Sequence, residues 1–459
     1  MRRFRESIGR RIGLNAGTDL REFAGETVHV AVWQAATSVA DVVQIALLTH
    51  FLGLTEYGRF ALVTSVVVLV GRFFDVRVGI AATTHGASAL RRSPEQGAAV
   101  FRFSYLVDTA TGLAAAAVLV PVSLLVGPGL IGANGTELLL LFTVTLLVST
   151  VDESSLAVLR LLDRYRLVAG YTVALEILRV GLVLVALVVF GSLIAVIGAL
   201  IAYKGLGAFA NAVAASVTFR NRTGLGLFAR TEPELWKSAR RRMMGTIWHT
   251  NIVTYTKLVQ QQLPTVLLGA ISGPLDAGIY KVGMAGSLVV SRLSDPALVA
   301  VLPRLSRLWA ARRYARAETL IRHASRLSIS TMLAATAAVV VFREPILRVL
   351  GGEAALAGGG VLVASAVAWA IDGALFWNAS LLFADGRARV VAWIAGATAA
   401  TQIAALVPLT LALGPTGTAL AFLVSVAVAN TLYTIFALRA LQARVTGQRG
   451  IAEAGVARA

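Results

Sequence analysis

Long apolar runs, separated by short polar connections, set the pattern of this chain. Twelve such runs fall near residues 27–51, 58–84, 99–126, 137–160, 167–190, 193–217, 246–271, 278–302, 324–342, 356–384, 389–413 and 416–438. A helix that crosses a bilayer needs roughly 20 apolar residues. The runs are rich in Ala, Val and Leu with glycine scattered through them, as membrane helices tolerate. The alternation of a β-barrel is absent, so the pattern predicts an all-α polytopic membrane protein with twelve spanning helices. Composition points the same way: the 459 residues are 57% hydrophobic and 14% charged. A soluble domain carries roughly 25% charge. So little charge cannot cover a soluble surface, and a soluble enzyme is excluded. Cysteine is absent, which removes disulfides, thiolate metal sites and cysteine nucleophiles. The five histidines, His29, His50, His85, His249 and His323, show no metal-ligand spacing, so no metal is expected.

The net charge of +18 changes the picture through its placement. Lys and Arg fall mostly between the apolar runs, so they report topology rather than nucleic-acid binding. With edge residues assigned to the adjoining connection, the termini and even-numbered connections hold 32 of the 42 basic residues. The odd-numbered connections hold four: Arg59, Lys281, Arg343 and Arg348. This asymmetry predicts a cell-membrane protein with both termini cytoplasmic. Residues 1–26 read as an Arg-rich cytoplasmic or interfacial segment without a signal peptide, and 441–459 as a cytoplasmic tail. The outer loops are short, leaving no room for catalytic carboxylates outside the membrane. Residues 218–245 mix Leu225, Leu227, Phe228, Leu235 and Trp236 with arginines, which predicts an interfacial helix on the inner leaflet. It would link two six-helix lobes, 27–217 and 246–440.

Those lobes repeat one another. At an offset of 220, Gly53 falls on Gly273, Gly58 on Gly278, Phe60 on Tyr280, Arg72 on Arg292 and Asp75 on Asp295. Arg102 then falls on Arg322 and Asp152 on Asp372. Six helices, an even number, separate the copies, so both keep the same orientation in the membrane. This is the parallel repeat of many alternating-access transporters.

The segment Phe51–Ala87, "FLGLTEYGRFALVTSVVVLVGRFFDVRVGIAATTHGA", resembles the entry region of the polysaccharide transporters. These belong to the multidrug, oligosaccharidyl-lipid and polysaccharide exporter superfamily. Ala277–Arg313 repeats that region, and "LLFADGRAR" (Leu381–Arg389) followed by "GPTGTALAFLVS" is also similar. Arg77 departs from the pattern, which more often has a small residue there. The resemblance implies a flippase that carries a lipid-linked oligosaccharide from the inner to the outer leaflet, for cell-envelope polysaccharides such as lipopolysaccharide. Cationic residues in a central cavity would attract the pyrophosphate of the polyprenyl carrier. The alternatives are a peptidoglycan lipid-precursor flippase and an ion-coupled multidrug exporter. From another class there remains a lipid-modifying membrane enzyme. Partners beyond the lipid-linked saccharide and the bilayer would be polysaccharide-assembly proteins, and a monomer is expected.

Charges at membrane depth need a partner or water, since each costs roughly 2.5–3.5 kcal/mol on insertion scales. Arg72 with Asp75, Glu176 with Arg179 and Arg292 with Asp295 stand three residues apart, on one helix face. Each pair either locks helices or lines a site. Arg72, Arg292, Lys257, Arg77 and Arg179 are the candidate substrate-binding residues, because a guanidinium fork suits phosphate. Asp75, Asp295, Glu176, Asp41, Asp152 and Asp372 would carry a proton or sodium ion, or neutralise an Arg on another helix. Asp108 and Glu153 are further unpaired acids, and Pro264 and Pro296 predict helix bends. No nucleotide loop occurs, so the expected drive is an ion gradient or none, with no bound cofactor.

Overall fold

The computed structural model describes residues 36–74, 78–229, 232–250, 252–293 and 295–456. Among them the chain is helical with no strand. The first half holds α1 (Ala36–Leu52), α2 (Leu54–Phe74), α3 (Val78–Leu90), α4 (Pro94–Ile131), α5 (Gly135–Val148), α6 (Asp152–Leu161), α7 (Tyr165–Phe190) and α8 (Leu193–Thr223). The linker helix α9 (Pro233–Thr250) follows. The second half holds α10 (Ile252–Ser272), α11 (Pro274–Arg292), α12 (Asp295–Ala310), α13 (Tyr314–Val341), α14 (Arg343–Gly351), α15 (Gly359–Ala374), α16 (Trp377–Ala384) and α17 (Ala388–Val456). Over the described residues, the twelve apolar runs fall on a helix, a consecutive pair, or an arm of α17.

Within α17, Gly414 adopts φ 55°, ψ −132°, and the chain folds back there. A Cβ on Gly417 would lie 1.8 Å from the Leu409 carbonyl oxygen. In a continuous helix those residues would stand about 12 Å apart. The two arms are therefore the eleventh and twelfth spans. The second arm runs on to Val456, so residues 441–456, which the sequence reads as a tail, are helical.

Local chemistry sets the other boundaries. Ser93 caps α4, its Oγ accepting from Gln96 N at 3.2 Å, and Pro94 opens the helix with a fixed φ. Gly191 ends α7 in the left-handed region and Ser192 caps α8. Arg59 donates from Nε to the Ile131 carbonyl at 3.1 Å and from Nη2 to that of Ala133, closing the end of α4.

Two of the apolar runs, the fourth of each repeat, break into two helices. The fourth parts into α5 and α6 between Val148 and Asp152, the tenth into α15 and α16 between Ala374 and Trp377. Breaks free backbone groups that must find partners. At the first, Asp108 accepts from Ser154 N at 3.0 Å and from the Ser154 hydroxyl. At the second, Ser328 donates to the Gly373 carbonyl at 2.8 Å. Residues 108 and 328 are equivalent under the 220-residue offset. Pro264 continues α10 but lacks the N–H that the Gln260 carbonyl needs, and Gln402 donates to that carbonyl at 3.0 Å.

Packing groups the chain into two compact units. Among the described residues, the first contains 36–44, Phe74–Ala117 and Leu141–His249, and the second contains Ile45–Phe73, Val118–Leu140 and 250–456. The boundaries therefore cut α1, α4 and α5 instead of falling at residue 217. A cause is visible in the second unit, where α2 crosses α11 at two glycines. A Cβ on Gly58 would meet the Pro274 carbonyl oxygen at 1.8 Å, and one on Gly278 would meet that of Leu54 at 2.5 Å. Gly58 and Gly278 are repeat equivalents, so the repeat meets itself at this crossing. Gly53 (φ 85°) and Gly273 (φ 89°), also equivalent, make the turns that open α2 and α11.

In the first unit, α9 buries Ala239 and Met243 in a core shared with Phe101, Phe219 and Leu227. Leu235 and Trp236 pack on it, Trp236 edge-on to Phe103 at 5.4 Å. The sequence suggests an interfacial helix on the inner leaflet; in the structure its apolar face packs on the ends of α3, α4 and α8. The expected segment 1–26 lies outside the described residues.

Candidate functional site

The first unit gathers membrane-depth polar groups from four helices. Glu176 and Arg179 stand three residues apart on α7, as the sequence pairs them, and Arg179 Nε lies 2.8 Å from Glu176 Oε2. The other end of the guanidinium reaches α1, with Nη2 2.8 Å from Asp41 Oδ1. Tyr203 of α8 donates to Glu176 Oε1 at 2.9 Å, and Thr37 of α1 donates to the same atom at 3.4 Å. The guanidinium carbon sits 5.6 Å from the Tyr203 ring centre, and Lys204 Nζ sits 5.7 Å from it. Glu176 is only 5% exposed, whereas the Asp41 side chain is 55% exposed. Asp41 thus meets the requirement for a partner at membrane depth through Arg179.

A second cluster shares α8. Asn211 donates to Asp152 Oδ1 at 2.9 Å, and Tyr171 of α7 donates to the Asn211 side-chain oxygen. Lys204 and Asn211 stand seven residues apart, two turns along one face of α8. Glu153 is exposed beside Asp152, against Gly79 of α3. The second unit repeats this arrangement: Asn430 donates to Asp372 Oδ1 at 3.2 Å, and Asn378 donates to Asn430 Oδ1 at 3.0 Å. Asp372 is exposed and Asn430 buried. The Arg179 triad has no such copy, since Gly396 and Ala399 occupy the positions of Glu176 and Arg179.

The chemistry of the first unit follows from who holds whom. Two carboxylates flank Arg179, so its fork is engaged. Lys204 leaves an exposed ammonium beside this triad. It is the cation there whose head faces outward. Sequence reasoning did not single it out; a lone Lys in step with an Asn two turns on was the available signal. Tyr203, Asn211, Tyr171 and Thr37 were missed as well.

Arg72 and Arg292 occupy the last turns of α2 and α11, both exposed. A cation there complements the carbonyl end of its helix. Asp75 and Arg77 lie outside the described residues, as do the side chains of Lys257 and Asp295. No cluster of three metal-ligating side chains occurs among the described residues.

A family model described as "Polysaccharide biosynthesis protein" matches residues 26–309. No curated protein matches the sequence significantly. Solved structures are similar over nearly the whole chain. An inward-facing multidrug resistance MATE family transporter of the MOP superfamily aligns with a TM-score of 0.65 at 12% identity, over 92% of this chain and 99% of that one. The lipid II flippase MurJ, in an inward closed conformation, aligns at 0.64 and 14% identity, over 89% and 87%. A mutant of the MATE transporter VcmN from Vibrio cholerae aligns at 0.57 and 16%, over 93% and 97%. At these identities the likeness establishes the fold.

Proposed function

The chain belongs to the polysaccharide biosynthesis protein family, and from that membership we propose that it is a flippase for a lipid-linked saccharide. The observation that carries the reading is the family match over residues 26–309, on a fold that the lipid II flippase shares. The substrate would be a polyprenyl-pyrophosphate oligosaccharide, moved from the inner to the outer leaflet of the cell membrane. Its diphosphate needs cations at membrane depth. Arg72, Arg292, Arg77 and Lys257 are proposed for that part, joined by Lys204. Arg179 is a weaker candidate, because Asp41 and Glu176 already hold its fork. Asp41, Asp152 and Asp372, each in reach of a polar partner, would take up a proton or sodium ion if transport is ion-driven.

The similarity to a lipid II flippase favours one second reading, a peptidoglycan lipid precursor as cargo. Vesicles containing the purified chain and a polyprenyl diphosphate bearing a fluorescent sugar test both. An impermeant quencher in the outer medium reports the fraction of label facing out. The proposed flippase lets all of the label be quenched with time, whereas protein-free vesicles keep the inner fraction. Protected label overturns the reading for that substrate. A peptidoglycan precursor exchanged in place of the oligosaccharide lipid, with the latter inert, moves the assignment to the second reading.

A further inference from the structure

The linker helix α9 has two faces, and only one is used by the fold. Leu235, Ala239 and Met243, spaced by four, face the core of the first unit, and Trp236 joins them. Arg102 of α4 lies over the Trp236 ring at 5.5 Å and fixes this side further. The opposite face presents Arg240 and Arg241, both exposed. Met244, 50% exposed, stands one turn beyond them on the same face. The preceding segment adds Arg220 and Arg222 at the end of α8, also exposed, and Phe228, 57% exposed. Lys237 pairs with Glu234 at 2.9 Å, but these four arginines have no carboxylate partner among the described residues.

Cations without partners, interleaved with outward-facing Phe and Met, fit an interface that is anionic at its surface and apolar just below. A soluble polyanion would use the charges and leave the apolar side chains in water. A protein partner would favour fewer unpaired charges at the centre of its interface. The amphipathic helix cannot lie apolar-side down in lipid, because that side is occupied. Contact must come through the arginine face.

We propose that Arg240 and Arg241, with Arg220 and Arg222, bind the headgroups of anionic phospholipid such as phosphatidylglycerol, with Met244 and Phe228 dipping between them. The inner leaflet is the face concerned, by the same charge asymmetry that places the connections after even-numbered spans in the cytoplasm. Since α9 is packed into the first unit, the lipid grips that unit directly. The inference does not depend on the transported cargo, and its test reads no transport.

The detergent-solubilised full chain is titrated with short-chain phosphatidylglycerol or phosphatidylcholine, and bound lipid is counted by native mass spectrometry. Phosphatidylglycerol is expected to bind more tightly, and added salt to reduce the preference. Each basic residue near a charged surface is worth about fivefold in affinity, so Arg240→Gln with Arg241→Gln is expected to lose about 25-fold. Arg240→Lys with Arg241→Lys is expected to retain most of it. Equal binding of the two lipids by the natural chain overturns the proposal, as does a glutamine double variant that binds like it. Inorganic diphosphate that displaces phosphatidylglycerol at equal concentration would assign the face to a soluble anion and also overturn it. A separate measurement leaves the arginines in place. The chain has no cysteine, so Met244→Cys accepts a single fluorophore. In bilayers, a quencher on the phosphatidylglycerol headgroup is expected to quench it more than one on phosphatidylcholine, and equal quenching refutes the contact.

Discussion

Alanine at Gly58 probes the crossing of α2 and α11. Its methyl would stand 1.8 Å from the Pro274 carbonyl oxygen and 2.7 Å from the carbonyl carbon. Ordinary contact begins at 3.4 Å, so the two helices must part locally by roughly 1.6 Å. Both atoms are backbone, and no rotamer change relieves the clash. Overpacking of this kind costs about 1–3 kcal/mol. Gly278→Ala intrudes less, with 2.5 Å to the Leu54 carbonyl oxygen, and belongs at the lower end of that range. Because one separation accommodates both methyls, the double variant should cost clearly less than the sum of the singles. Gly170 and Gly181 on α7 have nothing within 4 Å of an added Cβ, and alanine there should leave stability unchanged or raised. The seven tryptophans allow the thermal midpoint of the detergent-solubilised chain to be followed by fluorescence. Each kcal/mol corresponds to roughly 2–4 °C for a unit of this size. An unchanged midpoint for Gly58→Ala, or strictly additive losses in the double variant, would refute a backbone-tight crossing of repeat equivalents.

Arg179→Ala should leave buried Glu176 without its cation, at about 3–5 kcal/mol, and lower the yield of folded protein in the membrane; adding Glu176→Gln should recover much of that yield, and no recovery would mean the pair is not what holds α7. His85, just past the second apolar run, has its pKa lowered from 6.5 by burial and by the Arg242 charge. The folded chain therefore resists protonation there more than the unfolded chain does, so the stability it contributes is present above pH 6.5 and lost as pH falls through the folded pKa. Thermal midpoints of the natural chain and His85→Gln should converge at high pH and diverge below 6.5, the natural chain falling faster; parallel curves would remove the effect.

Much of the architecture was written along the chain. Spans are legible because inserting a helix into lipid depends on summed transfer free energy over some 20 residues, a local quantity. The doubled order of Gly53, Gly58 and Arg72 in the second half likewise needed no coordinates. Even the i, i+3 contact of Glu176 with Arg179 follows from helix geometry alone. The breaks inside the fourth and tenth runs are harder to read: the polar stretch Ser149–Ser155 marks the first, whereas the tenth is apolar on both sides and carries no mark. They stand because Asp108 and Ser328, on neighbouring helices, satisfy the freed backbone groups.

Partner choice between helices belonged wholly to the tertiary structure. Asp41 and Arg179 are 138 residues apart, and any of several intramembrane acids could have neutralised that arginine. The duplicated Asp–Asn bond was hidden by a single residue: Asp152 and Asp372 are 220 apart, but Asn211 and Asn430 are 219 apart. An ungapped comparison misses a shift that packing absorbs. The linker shows the same division. Its amphipathic pattern dictated that α9 would bury one face, and the pattern is equally satisfied by lipid or by protein. Which of them covers it depends on the apolar ends of α3, α4 and α8 meeting at one place, and only folding brings those together.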